Sequence, residues 1–395
     1  MMNNGKRVIL HLIFDGILFD RVYPRFEEMH EYENIYLLGD LNPDNEINYI
    51  KNREKIIKVN TLDAWEGIVK DEKIDIIYMH GLWPDYLKAI DYIRDHVKVM
   101  WWCYGMEIYE NCFGYAPLMQ MNIFKPLTFN YVLGKCSTFR SRFGTSLMYN
   151  HPKLFDSIRN IKNFLLGRPN RMKQMLSRID YAFTPLPIEL DELKKKHKFI
   201  QAKPYRLHAP RAKDFFIHQN RIGHILLEHS ANISNNHLDL LKAMNSIDLS
   251  SRIIHVPLNY GPVDMKEIVK KNAKFKNAEV DIIEDVMSLE KYTSLISECS
   301  HAVFGMMRQS GLGNIHLCLA KGVKIFFFKE SMLYKHFKAQ GYFVYSIEED
   351  MTDEAIKTPL TAEESVHNYE LFYNIYPEGS IPYDEQFNKI LGINE

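Results

Sequence analysis

The sequence predicts an α/β fold with two doubly wound, Rossmann-like domains that face a central cleft. Three observations support it: the length of the chain, a regular alternation of short apolar runs with helical segments, and a restart of that alternation midway. At 395 residues, the chain suits two domains of about 100 to 200 residues each. A composition of 46% apolar and 25% charged residues is typical of a folded protein, so every region is expected to have structure.

The strands of the first half are short apolar runs without polar alternation. They are predicted at residues 8–14, 35–38, 74–79, 97–103 and 180–184. Runs that are apolar on both faces are typical of a parallel sheet covered by helices. A charged helix at residues 189–198 closes the last β/α unit of this half.

The same rhythm restarts in the second half of the chain. Strands are predicted at residues 224–227, 252–256, 280–283, 301–307 and 323–328. Helices between them are predicted at residues 236–244, 265–274, 289–298 and 315–321. We therefore predict an N-terminal domain at 1–205, a C-terminal domain at 206–360, and a helical tail at 361–395 that packs back on the N-terminal domain. Ligands are expected in the cleft, at the carboxyl ends of the strands.

Charge and cysteine content narrow the function classes. A formal net charge of −1 provides no overall field toward nucleic acid, so no nucleic-acid partner is expected. The five cysteines show neither a Cys-x-x-Cys pair nor zinc-site spacing, which favours a reducing cytoplasm. The apolar run at 8–14 is interrupted by His11 and has no cleavage site after it, so we interpret it as a strand rather than a signal peptide. No stretch has the apolar length needed to span a bilayer.

A basic, aromatic insertion at about 135–175 differs in character from the rest of the chain. Between Lys135 and Ile179 there are ten Lys or Arg residues and a single acid, Asp156, with apolar side chains interleaved. One interpretation is a solvated basic helical excursion. The other is a surface for acidic lipid headgroups or pyrophosphate, with the apolar residues entering the membrane interface.

A glycine-containing turn between strand 301–307 and helix 315–321 is the strongest candidate for binding phosphate. Its residues are Arg308, Gln309, Ser310, Gly311, Gly313 and Asn314. Backbone N–H groups at such a turn and the following helix N-terminus can approach a diphosphate closely, and Arg308 adds a charge-assisted contact. The alternative is a tight βα turn whose glycines only permit compact packing.

Two further loops of the second half also follow predicted strands. Together with the turn they form a candidate site for the substrate that carries the diphosphate, the donor. The loop after strand 224–227 carries Glu228, His229, Ser230, Asn232, Ser234 and Asn235. Helix capping accounts for Ser234 and Asn235 but not for the other polar residues. Tyr260, after strand 252–256, is a candidate for stacking or a hydroxyl contact, although simple turn formation also explains its loop.

The first half offers candidate residues for catalysis and for binding a second substrate, the acceptor. The aromatic candidates for binding the acceptor are Trp101, Trp102, Tyr104 and Tyr109. Alternatively, at least one of the two tryptophans is simply a core residue. Glu107 is the first candidate for a general base, with Asp15 and His80 behind it.

Several other chemistries lack their motifs. The sequence has no Walker-type phosphate loop, no His-Glu-x-x-His and no Gly-x-Ser-x-Gly. It also has no Asp-x-Asp pair to hold a metal on a diphosphate. We therefore expect no cofactor and no metal, with backbone amides and Arg308 stabilising the leaving group.

Taken in order, these motifs form a recognisable series. They are His80-Gly81, Trp101-x-x-Tyr104-Gly105-x-Glu107-x-Tyr109, Ser230 with Ser234-Asn235-x-His237, Pro257-x-x-Tyr260 and Arg308-Gln309-x-Gly311-x-Gly313. The series resembles the bacterial TDP-4-acetamido-4,6-dideoxygalactose (Fuc4NAc):lipid II transferase family of enterobacterial common antigen synthesis. The resemblance runs from about residue 7 to 340, apart from the basic insertion.

The resemblance implies a GT-B fold and a nucleotide-sugar donor, TDP- or UDP-linked, in the C-terminal domain. It also implies a polyprenyl-pyrophosphate-linked saccharide acceptor at the cytoplasmic face of the membrane, where the basic insertion would lie. The chain departs from the family pattern at Trp102, Glu107 and Ile233, where the family has histidine, aspartate and arginine. These departures leave the donor sugar and the acceptor open.

We therefore predict a cytoplasmic, peripherally membrane-bound, metal-independent glycosyltransferase of bacterial surface polysaccharide synthesis. It would move a sugar, amino-deoxy by the resemblance, from a nucleotide-diphosphate donor to a lipid-linked or free saccharide. Two alternatives stay open. A sugar-nucleotide epimerase uses the same architecture, and a non-catalytic nucleotide-sugar-binding subunit would bind the donor without transferring it.

Overall fold

The computed structural model describes residues 5–16, 18–38, 46–59, 61–110, 115–168, 170–207, 223–375 and 381–393. These residues belong to two compact units. Unit 1 takes the described residues within 1–121, 147–209 and 379–395, and unit 2 takes those within 122–146 and 210–378.

Each unit is built on one parallel sheet. The strands of unit 1 are β1 (Arg7–Ile13), β2 (Tyr32–Leu38), β3 (Ile56–Lys58), β4 (Ile74–His80), β5 (Lys98–Trp102), β6 (Tyr181–Phe183) and β7 (Lys203–Pro204). The strands of unit 2 are β8 (His224–Leu227), β9 (Ile253–Pro257), β10 (Glu279–Ile283), β11 (Cys299–Phe304), β12 (Lys324–Phe327) and β13 (Tyr345–Ser346). Their spatial orders are β3-β2-β1-β4-β5-β6-β7 and β10-β9-β8-β11-β12-β13.

Helices connect these strands. They are α1 (Phe19–Glu27), α2 (Leu62–Val69), α3 (Met106–Tyr109), α4 (Pro126–Gly134), α5 (Phe139–Asn150), α6 (Pro152–Leu165), α7 (Arg171–Arg178), α8 (Pro187–Lys196), α9 (His237–Met244), α10 (Val263–Asn272), α11 (Leu289–Glu298), α12 (Leu312–Ala320), α13 (Met332–Ala339), α14 (Ala362–Asn374) and α15 (Tyr383–Leu391). Short 3-10 helices span Pro84–Asp91 and Ile233–Asn235. Within the described ranges, no helix is both long and apolar enough to cross a membrane.

The sheet orders confirm the predicted fold class, an α/β fold with two doubly wound parallel sheets. In unit 1 the chain runs outward from β1 to β2 and β3, then returns to β4 on the other side of β1. Unit 2 repeats this with β8 at the centre and β11 as the returning strand. Ligands of such sheets bind where the winding reverses, outside the carboxyl ends of the two adjacent strands. The fold therefore marks one crevice at β1/β4 and another at β8/β11.

The division of the chain differs from the predicted domain limits in two places. The predicted insertion at 135–175 is split, because residues through 146 belong to unit 2 and later ones to unit 1. The predicted tail at 361–395 is also split, because α14 belongs to unit 2 and α15 to unit 1. Residues 208–222, which contain most of the predicted junction between the domains, lie outside the described residues.

The last helix, α15, is part of the unit 1 core. Tyr383 and Phe387 are buried in the same hydrophobic cluster as Phe26 and Tyr32. The Tyr32 hydroxyl donates a 2.6 Å hydrogen bond to the side-chain oxygen of Asn388. This helix is thus joined to the first strands of the chain although more than 350 residues separate them in sequence.

Candidate active site

The crevice at β8/β11 is organised by Glu228, the residue directly after β8. Its side chain is fully buried, and one carboxylate oxygen accepts a hydrogen bond from the backbone N–H of Gly305, directly after β11. Its own N–H donates to the carbonyl of Val303 at 3.0 Å. Burial raises the pKa of this carboxyl. Glu228 also has a left-handed backbone, φ 62°, an unfavourable conformation that non-glycine residues adopt chiefly at functional sites and tight turns.

His229 joins this loop to the predicted diphosphate turn. Its Nδ1 lies 3.2 Å from the second carboxylate oxygen of Glu228. A Cβ added to Gly311 would lie 2.8 Å from Nδ1 and Cε1 of the same imidazole ring. Gly311 has φ +59° and precedes the first residue of α12. Only glycine satisfies both the backbone conformation and the close approach, so the sequence places Gly311 where the two loops meet.

Arg308 lies beneath the same turn. Its guanidinium is buried, and its Nε donates to the Ser234 hydroxyl at 3.3 Å while Nη1 donates to the Gln309 carbonyl at 3.1 Å. The Ser234 hydroxyl in turn donates to the side-chain oxygen of Asn232 at 2.9 Å. The buried guanidinium is a positively charged group beside the turn, which suits an anionic ligand.

Two residues that the sequence prediction did not name as site residues, Asn236 and His237, complete the site. Asn236, in a left-handed conformation, donates from its amide to the carbonyl of Gly305 at 2.8 Å. His237 is fully buried, and neither ring nitrogen has a hydrogen-bond partner within the described part of the chain. Burial first, and then the neighbouring His229, lower the pKa of His237 to about 3, so its ring is neutral near pH 7. The signal in the sequence was available for His237, which belongs to the motif at Ser234-Asn235.

The remaining predicted donor residues are less closely engaged. Asn235 is buried and donates to the carbonyl and hydroxyl of Ser230, at 2.8 and 3.1 Å. Tyr260 has an exposed ring, but its carbonyl accepts a 2.7 Å bond from the N–H of Ala231 and so fixes its loop beside the site. Gly313 is exposed, and a Cβ there would meet no atom within 4 Å. Ser310 and Asn314 are half-buried at the start of α12.

At the β1/β4 crevice of unit 1, His80 is the third member of a buried hydrogen-bonded chain. The Nε2 atom of His11 lies 2.9 Å from the side-chain oxygen of Asn34. The Nδ1 atom of His11 lies 3.0 Å from Nε2 of His80, whose Nδ1 lies 3.4 Å from the Tyr104 hydroxyl. Burial, reinforced by His11, holds the pKa of His80 well below its usual value.

The contacts of Asn34 determine which atom donates in each hydrogen bond of this series. Its amide nitrogen donates to the carbonyl of Phe26 at 2.7 Å, so its oxygen faces His11 and accepts. Neutral His11 must then carry its proton on Nε2 and accept from Nε2 of His80. His80 is left with an unprotonated Nδ1, which accepts from the hydroxyl of Tyr104. This series of hydrogen bonds thus holds the Tyr104 hydroxyl with its lone pairs turned away from His80.

The three candidate bases have different surroundings. Glu107 is buried, and one carboxylate oxygen accepts from Trp101 Nε1 at 3.3 Å and from the N–H of Tyr104 at 3.0 Å. Burial raises its pKa, which keeps a larger protonated fraction than in an exposed glutamate. Asp15 accepts three backbone N–H groups from residues 48–50, at 2.6 to 2.9 Å, and so holds that loop.

The four predicted acceptor aromatics fall into two pairs. Trp101 and Tyr109 are fully buried, and the Tyr109 hydroxyl donates to Glu189 at 2.6 Å. Trp102 and Tyr104 are half-buried and stacked, with ring centroids 6.1 Å apart and planes 20° apart. Only this second pair offers ring surface to a sugar.

Two further aromatic residues join this crevice. Phe14, directly after β1, has its ring centroid 4.4 Å from that of Trp83 and 5.5 Å from that of Tyr104. Gly81 has φ +80°, and a Cβ there would lie 2.8 Å from Trp83 Nε1. The prediction missed Phe14, which was assigned to the strand at 8–14, and did not single out Trp83, although both follow strands whose carboxyl ends meet.

Comparison with known proteins agrees with this architecture. Residues 200–372 match the model of the 4-alpha-L-fucosyltransferase family, glycosyl transferase group 56. Sucrose-phosphate synthase from Thermosynechococcus elongatus is similar in structure, with a TM-score of 0.58, 8% sequence identity, and 98% of each chain covered. The N-terminal domain of trehalose-6-phosphate phosphatase from Candida albicans gives a TM-score of 0.55 and 9% identity, with 98% of this chain and 96% of that chain covered. At such identities these likenesses show the fold alone, which is GT-B.

The fold and the family match define the class: the chain is a glycosyltransferase. Within that class, it is similar to group 56 over less than half of its length. The matched range contains every predicted donor residue, from Glu228 to Asn314, and none of the predicted acceptor residues.

Proposed function

We propose that the enzyme transfers a deoxy sugar from a nucleotide diphosphate to a polyprenyl-pyrophosphate-linked saccharide in bacterial surface polysaccharide synthesis. The observation that carries the proposal is the contact network at β8/β11, in which Glu228, His229 and Gly311 join the loop after β8 to the turn before α12. The matched model describes fucosyltransferases, and fucose is a deoxy sugar. Fuc4NAc, the sugar of the family that the motifs resemble, is the first donor to test.

The diphosphate would bind at the turn from Arg308 to Asn314. The positive end of the α12 dipole, at Gly311 to Gly313, and the buried guanidinium both favour negative charge there. As the sugar–phosphate bond breaks, these groups stabilise the leaving diphosphate without a metal. The sugar would lie toward His229 and Ser230, where the polar loop continues.

The acceptor saccharide would bind at the β1/β4 crevice of unit 1. Trp102 and Tyr104 present stacked rings for a sugar face. We retain Glu107 as the candidate general base, since burial raises its pKa toward the working pH. The Glu107→Gln variant tests this, because the hydrogen bonds from Trp101 and Tyr104 reach a single oxygen that glutamine keeps. A folded variant with unchanged turnover would remove the base assignment.

A membrane contact at α6 would bring the enzyme to its lipid-linked acceptor. Leu154, Ile158, Ile161 and Leu165 are spaced as one helical stripe and are 53% to 76% exposed. The opposite face packs inward: Asp156 accepts from the N–H of Ala116 at 3.0 Å. The helix therefore turns its apolar side outward, the reverse of an ordinary surface helix. With many basic residues and one inward acid in this region, the face suits an anionic bilayer.

A pocket at the start of α6 is the proposed place for the acceptor's pyrophosphate. Its volume is about 620 Å³, and its lining consists of Gln120, Asn150, His151, Pro152, Lys153, Leu154, Lys195 and Lys196. Lys153, Lys195 and Lys196 supply positive charge for a pyrophosphate, with Lys195 and Lys196 also paired to Glu192 at 2.8 and 3.8 Å. Leu154 belongs to both the pocket and the outward stripe, so a lipid chain and its headgroup would meet there.

Transfer is tested directly by mass spectrometry with a panel of TDP- and UDP-sugars and polyprenyl-pyrophosphate-linked acceptors. We expect glycosylated lipid and free nucleoside diphosphate in equal amounts. Conversion of the donor into an isomeric nucleotide sugar would establish the epimerase instead. Tight donor binding without chemistry across the panel would establish a non-catalytic subunit.

Membrane binding is tested by vesicle flotation. We expect wild type to float with vesicles that contain anionic phospholipid and not with neutral ones. Ile158→Glu combined with Leu165→Glu should abolish flotation, whereas Val286→Glu, at an exposed apolar residue of unit 2, should not. Equal flotation of all three proteins would contradict the assignment of α6.

A further inference from the structure

A second cluster of ligand-type side chains lies in unit 2, toward the amino ends of its central strands. His224 is the first residue of β8, His255 lies in β9, and Glu298 is the last residue of α11. One ligand-type atom from each of these residues lies within 4.8 Å of the others. Asp281 of β10 adjoins the cluster, with its carboxylate 2.7 Å from Nδ1 of His255.

The strand register brings these residues together. His255 pairs with Asp281 on one side and with Leu226 on the other. Leu226 is two positions after His224, so His224, His255 and Asp281 share one face of the sheet. Glu298 immediately precedes β11, the strand on the other side of β8. The convergence is therefore a consequence of the sheet order and involves elements that are far apart in sequence.

We propose that His224, His255 and Glu298 bind a divalent transition-metal ion, with zinc the best fit. Nδ1 of His224 lies 3.0 Å from Nε2 of His255 and 3.5 Å from a carboxylate oxygen of Glu298. Tetrahedral zinc with bonds of about 2.0–2.1 Å separates its ligand atoms by roughly 3.3 Å. The two observed separations bracket that value, and ligand atoms of all three residues lie within 4.8 Å of one another, so side-chain rotations can bring them to the ion.

Asp281 has the position of an orienting partner. A carboxylate on Nδ1 of His255 holds the proton there and leaves the Nε2 lone pair facing the cluster. Two imidazoles and one carboxylate are a donor set that suits zinc, whereas magnesium and calcium prefer sites made entirely of oxygen. The two histidine side chains are 12% and 8% exposed, and that of Glu298 is 48% exposed. The open side at Glu298 allows an ion to enter and a water to complete the coordination.

The metal site goes beyond the proposed transfer reaction and does not rest on it. Glu228 and Gly305 follow the carboxyl ends of β8 and β11, whereas His224 begins β8 and Glu298 precedes β11. The ion would cross-link two strands and a helix at the end of the sheet away from the diphosphate turn. Its expected effect is therefore on the stability of unit 2.

The test is titration of untagged, chelator-treated and desalted full-length protein with Zn²⁺, followed by calorimetry. We expect one equivalent to bind to wild type and Co²⁺ substitution to give the visible absorption of a tetrahedral site. Zn²⁺ should also raise the melting temperature. Mg²⁺ and Ca²⁺ should give no heat at the same concentrations.

Three variants and one control complete the experiment. His255→Ala and Glu298→Gln should no longer bind the one equivalent of Zn²⁺, and Asp281→Asn should bind Zn²⁺ about 10- to 100-fold more weakly. His96→Ala, at an exposed histidine of unit 1, should bind as wild type does. Glu298 is half-exposed, so its variant is expected to fold even where His255→Ala does not. If wild type takes up no stoichiometric Zn²⁺, or if folded Glu298→Gln retains it, the cluster is a hydrogen-bonded chain and the proposal is wrong.

Discussion

Gly311 and Gly313 lie two positions apart in the same turn, but their surroundings make opposite demands. Gly311→Ala places a Cβ 2.8 Å from the His229 ring at φ +59°, which costs roughly 1–2 kcal/mol for the left-handed backbone alone. Gly313→Ala enters open space inside α12 and should stabilise the protein by about 0.5–1 kcal/mol. We expect Gly311→Ala to lower both the melting temperature and the affinity for the nucleoside diphosphate. Calorimetry of both variants measures this, and equal behaviour would contradict the role of Gly311.

His237 should give the protein a specific loss of stability in acid. Its pKa is lowered from 6.5 to about 3 in the folded protein, so the unfolded chain binds a proton between those values and the folded chain does not. Above about pH 6.5 the histidine is neutral in both states and costs no stability. As pH falls toward 3, only the unfolded chain binds the proton, so the free energy of unfolding decreases.

The measurement for His237 is urea denaturation between pH 5 and 8. His237→Phe should flatten the decline in unfolding free energy below pH 6.5, by up to one proton's worth of slope. The exposed His96→Phe variant is the control and should leave the decline unchanged. The same slope in wild type and His237→Phe would contradict the assignment.

The residues of the candidate site differ in how far the sequence could predict them. Polar residues directly after strands, such as Glu228 and His229, can be recognised in the sequence because packing in a hydrophobic core does not explain them. Buried residues are harder to assign: for Trp101 the sequence allowed either acceptor binding or a place in the core, and the structure places it in the core. The role of Asn236 could not be predicted, because it depends on the carbonyl of Gly305, 69 residues away, and no local pattern records such a contact.

At the scale of elements, the central strands were predictable and the edges were not. The run at 224–227 was predicted with the limits that β8 has, because burial on both faces requires continuous apolar residues. The edge strands β3, β7 and β13 have only two or three residues and were missed, since so short a strand has no distinguishing apolar run. The place of α4 in unit 2 was also hidden, because it depends on hydrogen bonds from Thr128 to Asp239, 111 residues away.

The helix α15 gives an element-scale prediction. Phe387 is fully buried against unit 1, so Phe387→Ala should cost roughly 3–5 kcal/mol through lost burial and the cavity that remains. Ile381→Ala, at a partly exposed residue just before the helix, should cost little. Hydrogen exchange should show the loss of protection in β1 and β2 first. A uniform loss of protection across β8 to β12 would mean that α15 also stabilises unit 2.

For the whole molecule, the division into two units predicts where each ligand acts. The described contacts that join Glu228, His229, Arg308 and Gly311 all lie within unit 2. A ligand that binds only the folded form of this site stabilises it by mass action, by about 2.7 kcal/mol at a concentration 100 times its Kd. A nucleoside diphosphate should therefore slow hydrogen exchange in residues 228–237 and 305–314.

Residues 80–104 of unit 1 are the internal comparison, because the proposed acceptor crevice lies there and a nucleoside diphosphate alone should leave their exchange unchanged. Addition of a lipid-linked acceptor in detergent should then protect that range in turn. The measurement is exchange mass spectrometry with UDP or TDP alone, acceptor alone, and both. Protection of residues 80–104 by the nucleoside diphosphate alone, with residues 228–237 unaffected, would reverse the assignment of donor and acceptor to the two units.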